Sequence, residues 1–195
     1  MHINFKLLLS SALLTLSQSA FAQMNIFACE PEYAALAKEL APSAKIYTAT
    51  TAMQDPHQVQ ARPSLIAKMR QADLVICAGA DLEIGWLPML QMKSANTRVR
   101  STDDGLFFAA DHVETLDQMS NVDRSMGDVH SAGNPHLHFS PQRVLDIAKA
   151  LTCISAAVIK LCESLAIGSD TMAFKSGDVA GHESYCLSLN ISLFI

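Results

Sequence analysis

The chain has 195 residues, half of them apolar and 17% charged, which suits one folded domain of ordinary size and argues against extensive disorder or two large domains. Setting aside the first 22 residues leaves 13 basic against 19 acidic side chains, a net charge of −6. That balance disfavours nucleic acid and anionic membrane as partners, because phosphate binding rests on Lys and Arg, and it is compatible with a cation ligand.

Residues 1–22 read as a cleaved signal peptide: Lys6 gives a positive start, Leu7 to Leu16 an apolar stretch, and Ala20-Phe21-Ala22 an A-x-A cleavage site. The apolar stretch is too short to span a bilayer, so the expected product is a periplasmic protein without membrane insertion. Cys29 lies well past the cut, which argues against a lipid anchor. Five cysteines is an odd number for an oxidising compartment. Cys29 and Cys77 sit in apolar runs and read as small buried residues. No CxxC spacing supports a thiolate metal site.

From residue 24 onward, strand-like and helix-like segments alternate, the pattern of a parallel sheet covered by helices. Met24 to Cys29 is a short apolar run, followed by Pro31 at a first helical position and Tyr33, Leu36, Ala37 and Leu40 at helical spacing. Lys45 to Thr50 is the second strand candidate and runs into the loop holding His57, past the carboxyl end of a strand, where open α/β sheets bind ligands. Pro63 and Ser64 open a helix with Leu65, Ile66 and Met69 on its apolar face. Leu74 to Ala78 is a continuous apolar run suited to a strand buried on both faces. Gly79 breaks it, and Leu82, Ile84, Trp86, Leu87, Leu90 and Met92 carry a mainly helical segment. Phe107 to Ala110 is the fourth strand candidate. Residues 114–135 form a long loop without periodicity, a length often functional in compact domains. Ser140 and Pro141 start a helix with Val144, Leu145, Ile147, Ala148 and Leu151 on its apolar side. The fold class is therefore α/β, a parallel four-stranded sheet flanked by helices.

Two motifs place a histidine behind a proline, Asp55-Pro56-His57 and Asn134-Pro135-His136, and His130 and His138 flank the second. Neutral imidazole suits Zn, Ni, Cu and Fe, and clustered histidines favour metal. The proline narrows the loop's freedom and so reduces the entropy lost when a ligand is fixed. Read from spacing, the candidate metal ligands are His57, His136, His130 and His138, set against the plainer reading of solvated loop histidines; His112 reads as a surface residue. HExxH, GxSxG, Walker A and GxGxxG motifs are absent, and no glutamate lies near the His130–His138 cluster to serve as a general base. The chain thus reads as a binding protein, not an enzyme.

Cys29-Glu30-Pro31-Glu32-Tyr33, Asp55-Pro56-His57, Arg62-Pro63-Ser64, Ala72-Asp73-Leu74-Val75, Gly79 with Leu82-Glu83, and Gly133-Asn134-Pro135-His136 occur in the order that resembles periplasmic metal-binding proteins of zinc and manganese ABC transporters. The resemblance covers residues 24–152. It implies two α/β lobes joined by a long helix, a metal held between them by His57, His136 and second-lobe ligands, and delivery to a membrane permease. Zn2+ is the expected ion, Mn2+ the lesser one. On this reading residues 23–139 form the N-terminal lobe and 140–152 the start of the interlobe helix. Residues 153–195 are a divergent tail in which the second lobe is missing, as a shifted frame or truncation would produce, impairing transport. The expected protein is a monomer. The alternative is a stand-alone metal buffer or chaperone using His130, His136 and His138.

Overall fold

A computed structural model of the protein describes residues 23–100, 102, 105–120, 122, 126–127 and 129–152. The expected signal peptide and the tail from residue 153, with Cys153, Cys162 and Cys186, lie outside the described residues.

Strand β1 (Asn25–Ala28) leads to helix α1 (Pro31–Leu40), strand β2 (Lys45–Thr48), helix α2 (Pro63–Gln71), strand β3 (Leu74–Cys77), helix α3 (Leu87–Ser94), strand β4 (Leu106–Phe108) and a last helix α4 over residues 141–152. All strand pairs are parallel, in the order β2-β1-β3-β4, with Phe27 beside Tyr47 and Val75, and Val75 beside Leu106. Each of α1, α2 and α3 begins with a proline in its first turn, where the missing N–H costs nothing. Ser140 caps α4, its Oγ accepting from the Arg143 N–H at 3.4 Å.

The central strands β1 and β3 are apolar on both faces, and their alternating side chains divide the core in two. Ile26, Leu74 and Ile76 pack with Tyr33 and Ala37 of α1 and with Ile147 and Leu151 of α4. Phe27, Val75 and Cys77 pack on the other side with Leu65 and Met69 of α2 and Leu87 and Leu90 of α3. A buried side chain of this size contributes about 1.5–3 kcal/mol, so each helix is held by its few buried positions. From β1 the chain crosses outward to β2, then back past β1 to β3. This change of direction opens a crevice at the carboxyl ends of the strands, the usual ligand position in such sheets.

The structure corrects several details. The fourth strand is Leu106–Phe108, and Ala109 and Ala110 instead begin a 3-10 turn, Ala109–His112. The segment after Gly79 is not helical until Leu87: Gly79, Ala80 and Asp81 all have positive φ (78°, 50° and 67°), which stops a right-handed helix. Ile84 and Met92 lie outside the core, 68% and 64% exposed, as does Leu145 of α4 at 49%. His112 is exposed but stacks on Phe107 at a ring separation of 4.5 Å.

Cys29 and Cys77 are buried, but as a disulfide instead of as separate thiols. Their Cα atoms are 4.8 Å apart because β1 and β3 are parallel neighbours, a proximity that their separation of 48 residues conceals.

Candidate metal centre

The two Pro-His motifs fold alike. The Asp55 Oδ1 accepts the His57 backbone N–H at 2.9 Å, and the Asn134 Oδ1 accepts the His136 backbone N–H at 2.9 Å. Each is a side chain bonding the backbone two residues on, the turn that Asp and Asn favour, with the proline fixing the intervening φ.

Their rings have different surroundings. His57 and His130 lie stacked, with ring centroids 5.1 Å apart and an interplanar angle of 18°. Their Nε2 atoms face each other at 3.0 Å. On its other side, His57 Nδ1 lies 2.8 Å from Asp55 Oδ1. A carboxylate at Nδ1 accepts a hydrogen bond from the ring N–H there, which favours the tautomer with the Nε2 lone pair outward that a metal ligand needs. The same bonds, first from the His57 backbone and then from its ring, hold the Asp55 carboxyl below the usual carboxylate range. Two imidazoles sharing a tetrahedral zinc at ~2.0–2.1 Å would place their nitrogens about 3.3 Å apart, within a few tenths of an ångström of the spacing found here.

The loops that carry this pair are fixed from behind. Trp86 Nε1 donates to Pro56 O at 2.8 Å, tying the His57 loop to the start of α3. On the His130 side, Asn134 N donates to Leu116 O at 2.7 Å and Thr115 Oγ1 to Ala132 O at 2.7 Å. Gly133, between them, has φ +101°, and a Cβ there would meet Thr115 Oγ1 at 2.5 Å and Leu116 O at 2.7 Å. Only glycine fits that turn. His57 and His130 line a cavity of about 540 Å³ with Asp81, Ile84, Gly85 and Ser131. Ser131 Oγ donates to Asp81 Oδ2 at 3.3 Å, so a carboxylate is present in the wall.

His136 and His138 do not line that cavity. His136 is exposed, with its ring perpendicular to that of His138 at 6.0 Å. The His138 ring lies 4.3 Å from that of Phe139, tilted by 42°, and its Nδ1 lies 3.1 Å from Glu32 Oε1, near enough for an ion pair though not aligned as a hydrogen bond. Among the described residues, no third His, Cys, Asp or Glu joins His57 and His130 within the reach of one ion. The sequence marks His57 and His130 as candidate ligands but carries no sign that they pair, nor of a role for Asp81. For Asp55 the available signal is its place two positions before His57.

A profile of the zinc-uptake complex component A family, periplasmic, matches residues 26–161. The chain belongs to this family. No curated protein matches it in a search of full sequences. Among solved structures, ZnuA is similar at 18% identity and a TM-score of 0.53, over 87% of this chain and 58% of that one. A zinc-bound ZnuA deletion mutant matches at 18% identity and a TM-score of 0.54, over 87% and 56%. A serine-to-alanine variant of the manganese-bound periplasmic metal binding protein from candidatus liberibacter asiaticus matches at 17% identity and a TM-score of 0.51, over 87% and 53%. At these identities the structural likeness speaks for the fold alone. The chain spans little more than half the length of the solved family-like proteins it matches.

Proposed function

We propose that this protein is the extracytoplasmic solute-binding component of an ABC importer, capturing a divalent transition-metal ion, zinc before manganese, and passing it to a membrane permease. The observation that carries the reading is the His57–His130 pair, with Nε2 atoms 3.0 Å apart and Asp55 behind the first ring. A nitrogen set of this kind favours zinc, whereas manganese prefers carboxylate and carbonyl oxygen. Capture asks only for ligands that hold and release the ion, which two imidazoles backed by a carboxylate can do. Further ligands, His136 among them in the family resemblance, would complete the coordination from beyond this pair.

Isothermal titration of the protein with Zn2+ and Mn2+ tests this. Zinc should bind and should outcompete manganese. Heat signals no larger than buffer dilution for both ions would sink the reading. Zinc affinity lost in His138→Ala but kept in His57→Ala would favour a buffer that uses the local His130–His138 cluster.

A further inference from the structure

Among the described residues, two buried carboxylates, Glu30 and Glu83, lie together where β1 and β3 end. Glu83 is 2% exposed, its Oε1 accepting the Ala78 N–H at 2.8 Å and its Oε2 the Gly79 N–H at 3.2 Å. Glu30, 3% exposed, places Oε2 at 3.3 Å from the same Ala78 N–H, while its Oε1 has no donor. A buried carboxylate oxygen without a donor is where a proton or a cation belongs. The Sγ atoms of Cys29 and Cys77 and a Glu83 carboxylate oxygen all lie within 4.8 Å of one another.

We propose that reduction of the Cys29–Cys77 bridge opens a second, buried metal site, in which the Cys29 and Cys77 thiolates and the Glu83 carboxylate hold a divalent cation of the zinc class beside Glu30. The capture function assigned to His57 and His130 uses none of these groups. A dithiol reductant supplies the electrons: the Sγ–Sγ bond breaks, each cysteine takes one proton and one electron, and the reductant becomes its own disulfide. Binding of M2+ then forms two metal–sulfur bonds and releases both thiol protons. With Zn–S near 2.3 Å and Zn–O near 2.0–2.2 Å, tetrahedral ligand atoms stand about 3.5–3.8 Å apart, so the two sulfurs, bonded to each other in the disulfide, would separate to that spacing on reduction, with the Glu83 oxygen already beside them.

The loop of residues 79–86 lies between the buried cluster and the histidine cavity. Glu83 turns inward from this loop, while Asp81, Ile84 and Gly85 line the histidine cavity on its other side. The loop also touches the His57 backbone: a Cβ on Gly85 would lie 3.3 Å from His57 O. One wall therefore separates the two sites.

The test uses the full chain carrying Cys153→Ser, Cys162→Ser and Cys186→Ser, so that Cys29 and Cys77 are the remaining thiols. It is titrated with Co2+ before and after treatment with a phosphine, which takes up an oxygen from water as it reduces the bridge. The reduced protein should gain a single equivalent of cobalt with a near-ultraviolet thiolate-to-cobalt charge-transfer band that the oxidised protein lacks. Adding Cys77→Ser should abolish the band, and Glu83→Gln should weaken cobalt binding by at least the ~10-fold that even an outer-shell partner costs. No band in the reduced protein, a band that survives Cys77→Ser, or loss of far-ultraviolet circular dichroism on reduction that cobalt does not restore would each overturn the proposal. Because the band reports sulfur alone, the outcome is separate from that of the histidine site: His57→Ala should leave it intact.

Discussion

His57 and His130 stand 73 residues apart in the chain, yet their Nε2 atoms meet at 3.0 Å. Facing each other without an ion, two imidazoles share at most one hydrogen bond between their Nε2 atoms. A cation between them uses both lone pairs. His57→Ala and His130→Ala should therefore each lower zinc affinity by more than the ~10–100-fold typical of an outer-shell loss. His112→Ala, a histidine stacked on Phe107 away from the cavity, should leave it unchanged. Calorimetry on the three variants decides, and equal affinities across them would remove His57 and His130 from the site.

Asp55 is exposed, so it adds little to folding, but its bonds to the His57 backbone and ring set the tautomer and aim of that ring. Asp55→Ala should cost about 10–100-fold in zinc affinity with almost no change in Tm. A Tm drop that accompanied unchanged affinity would show the residue to be structural.

How much of this could be read from the chain differs by element. The runs through Phe27 and Val75 were legible because a strand buried on both faces must be apolar throughout, and Pro31 and Pro63 marked the helices that follow β1 and the His57 loop. The segment after Gly79 misled because Leu82, Trp86 and Leu87 are apolar at near-helical spacing, while the positive φ of Ala80 and Asp81 answers to Glu83 folding back on the Ala78 and Gly79 amides. The Cys29–Cys77 bridge and the His57–His130 pair were hidden for one shared reason. Both depend on which strands and loops become neighbours across long separations, and local periodicity carries none of that information.

Gly133 holds the turn that brings His130 into the cavity. An alanine there would have to keep φ near +101° and displace Thr115 Oγ1 and the Leu116 carbonyl, so Gly133→Ala should destabilise the protein by about 1–3 kcal/mol. Because the displaced groups anchor the loop through Ala132 and Asn134, zinc affinity should fall as well. Thermal unfolding and zinc titration of the same preparation check both effects. An unchanged Tm would mean that the loop does not need this turn.

Glu30 and Glu83 share one buried corner, where burial first of all, and for Glu30 also the facing Glu83 carboxylate, push both carboxyls above their ordinary range. The folded chain thus keeps protons that the unfolded chain has already lost. As pH rises through the ordinary carboxylate range, the folded state binds more protons than the unfolded one, so stability declines and levels off only above the raised values. Glu30→Gln removes one titrating group and keeps an oxygen for the Ala78 N–H, with an amide to donate to Glu83. Its Tm should exceed that of the parent at neutral and alkaline pH and converge with it in acid, each unit of the lost shift being worth about 1.4 kcal/mol. Thermal melts from about pH 4 to pH 9 would span the window in which the two curves should separate. Curves that stayed parallel throughout would mean that Glu30 and Glu83 are both ionised in the fold, and that some other group satisfies the Glu30 oxygen that has no donor.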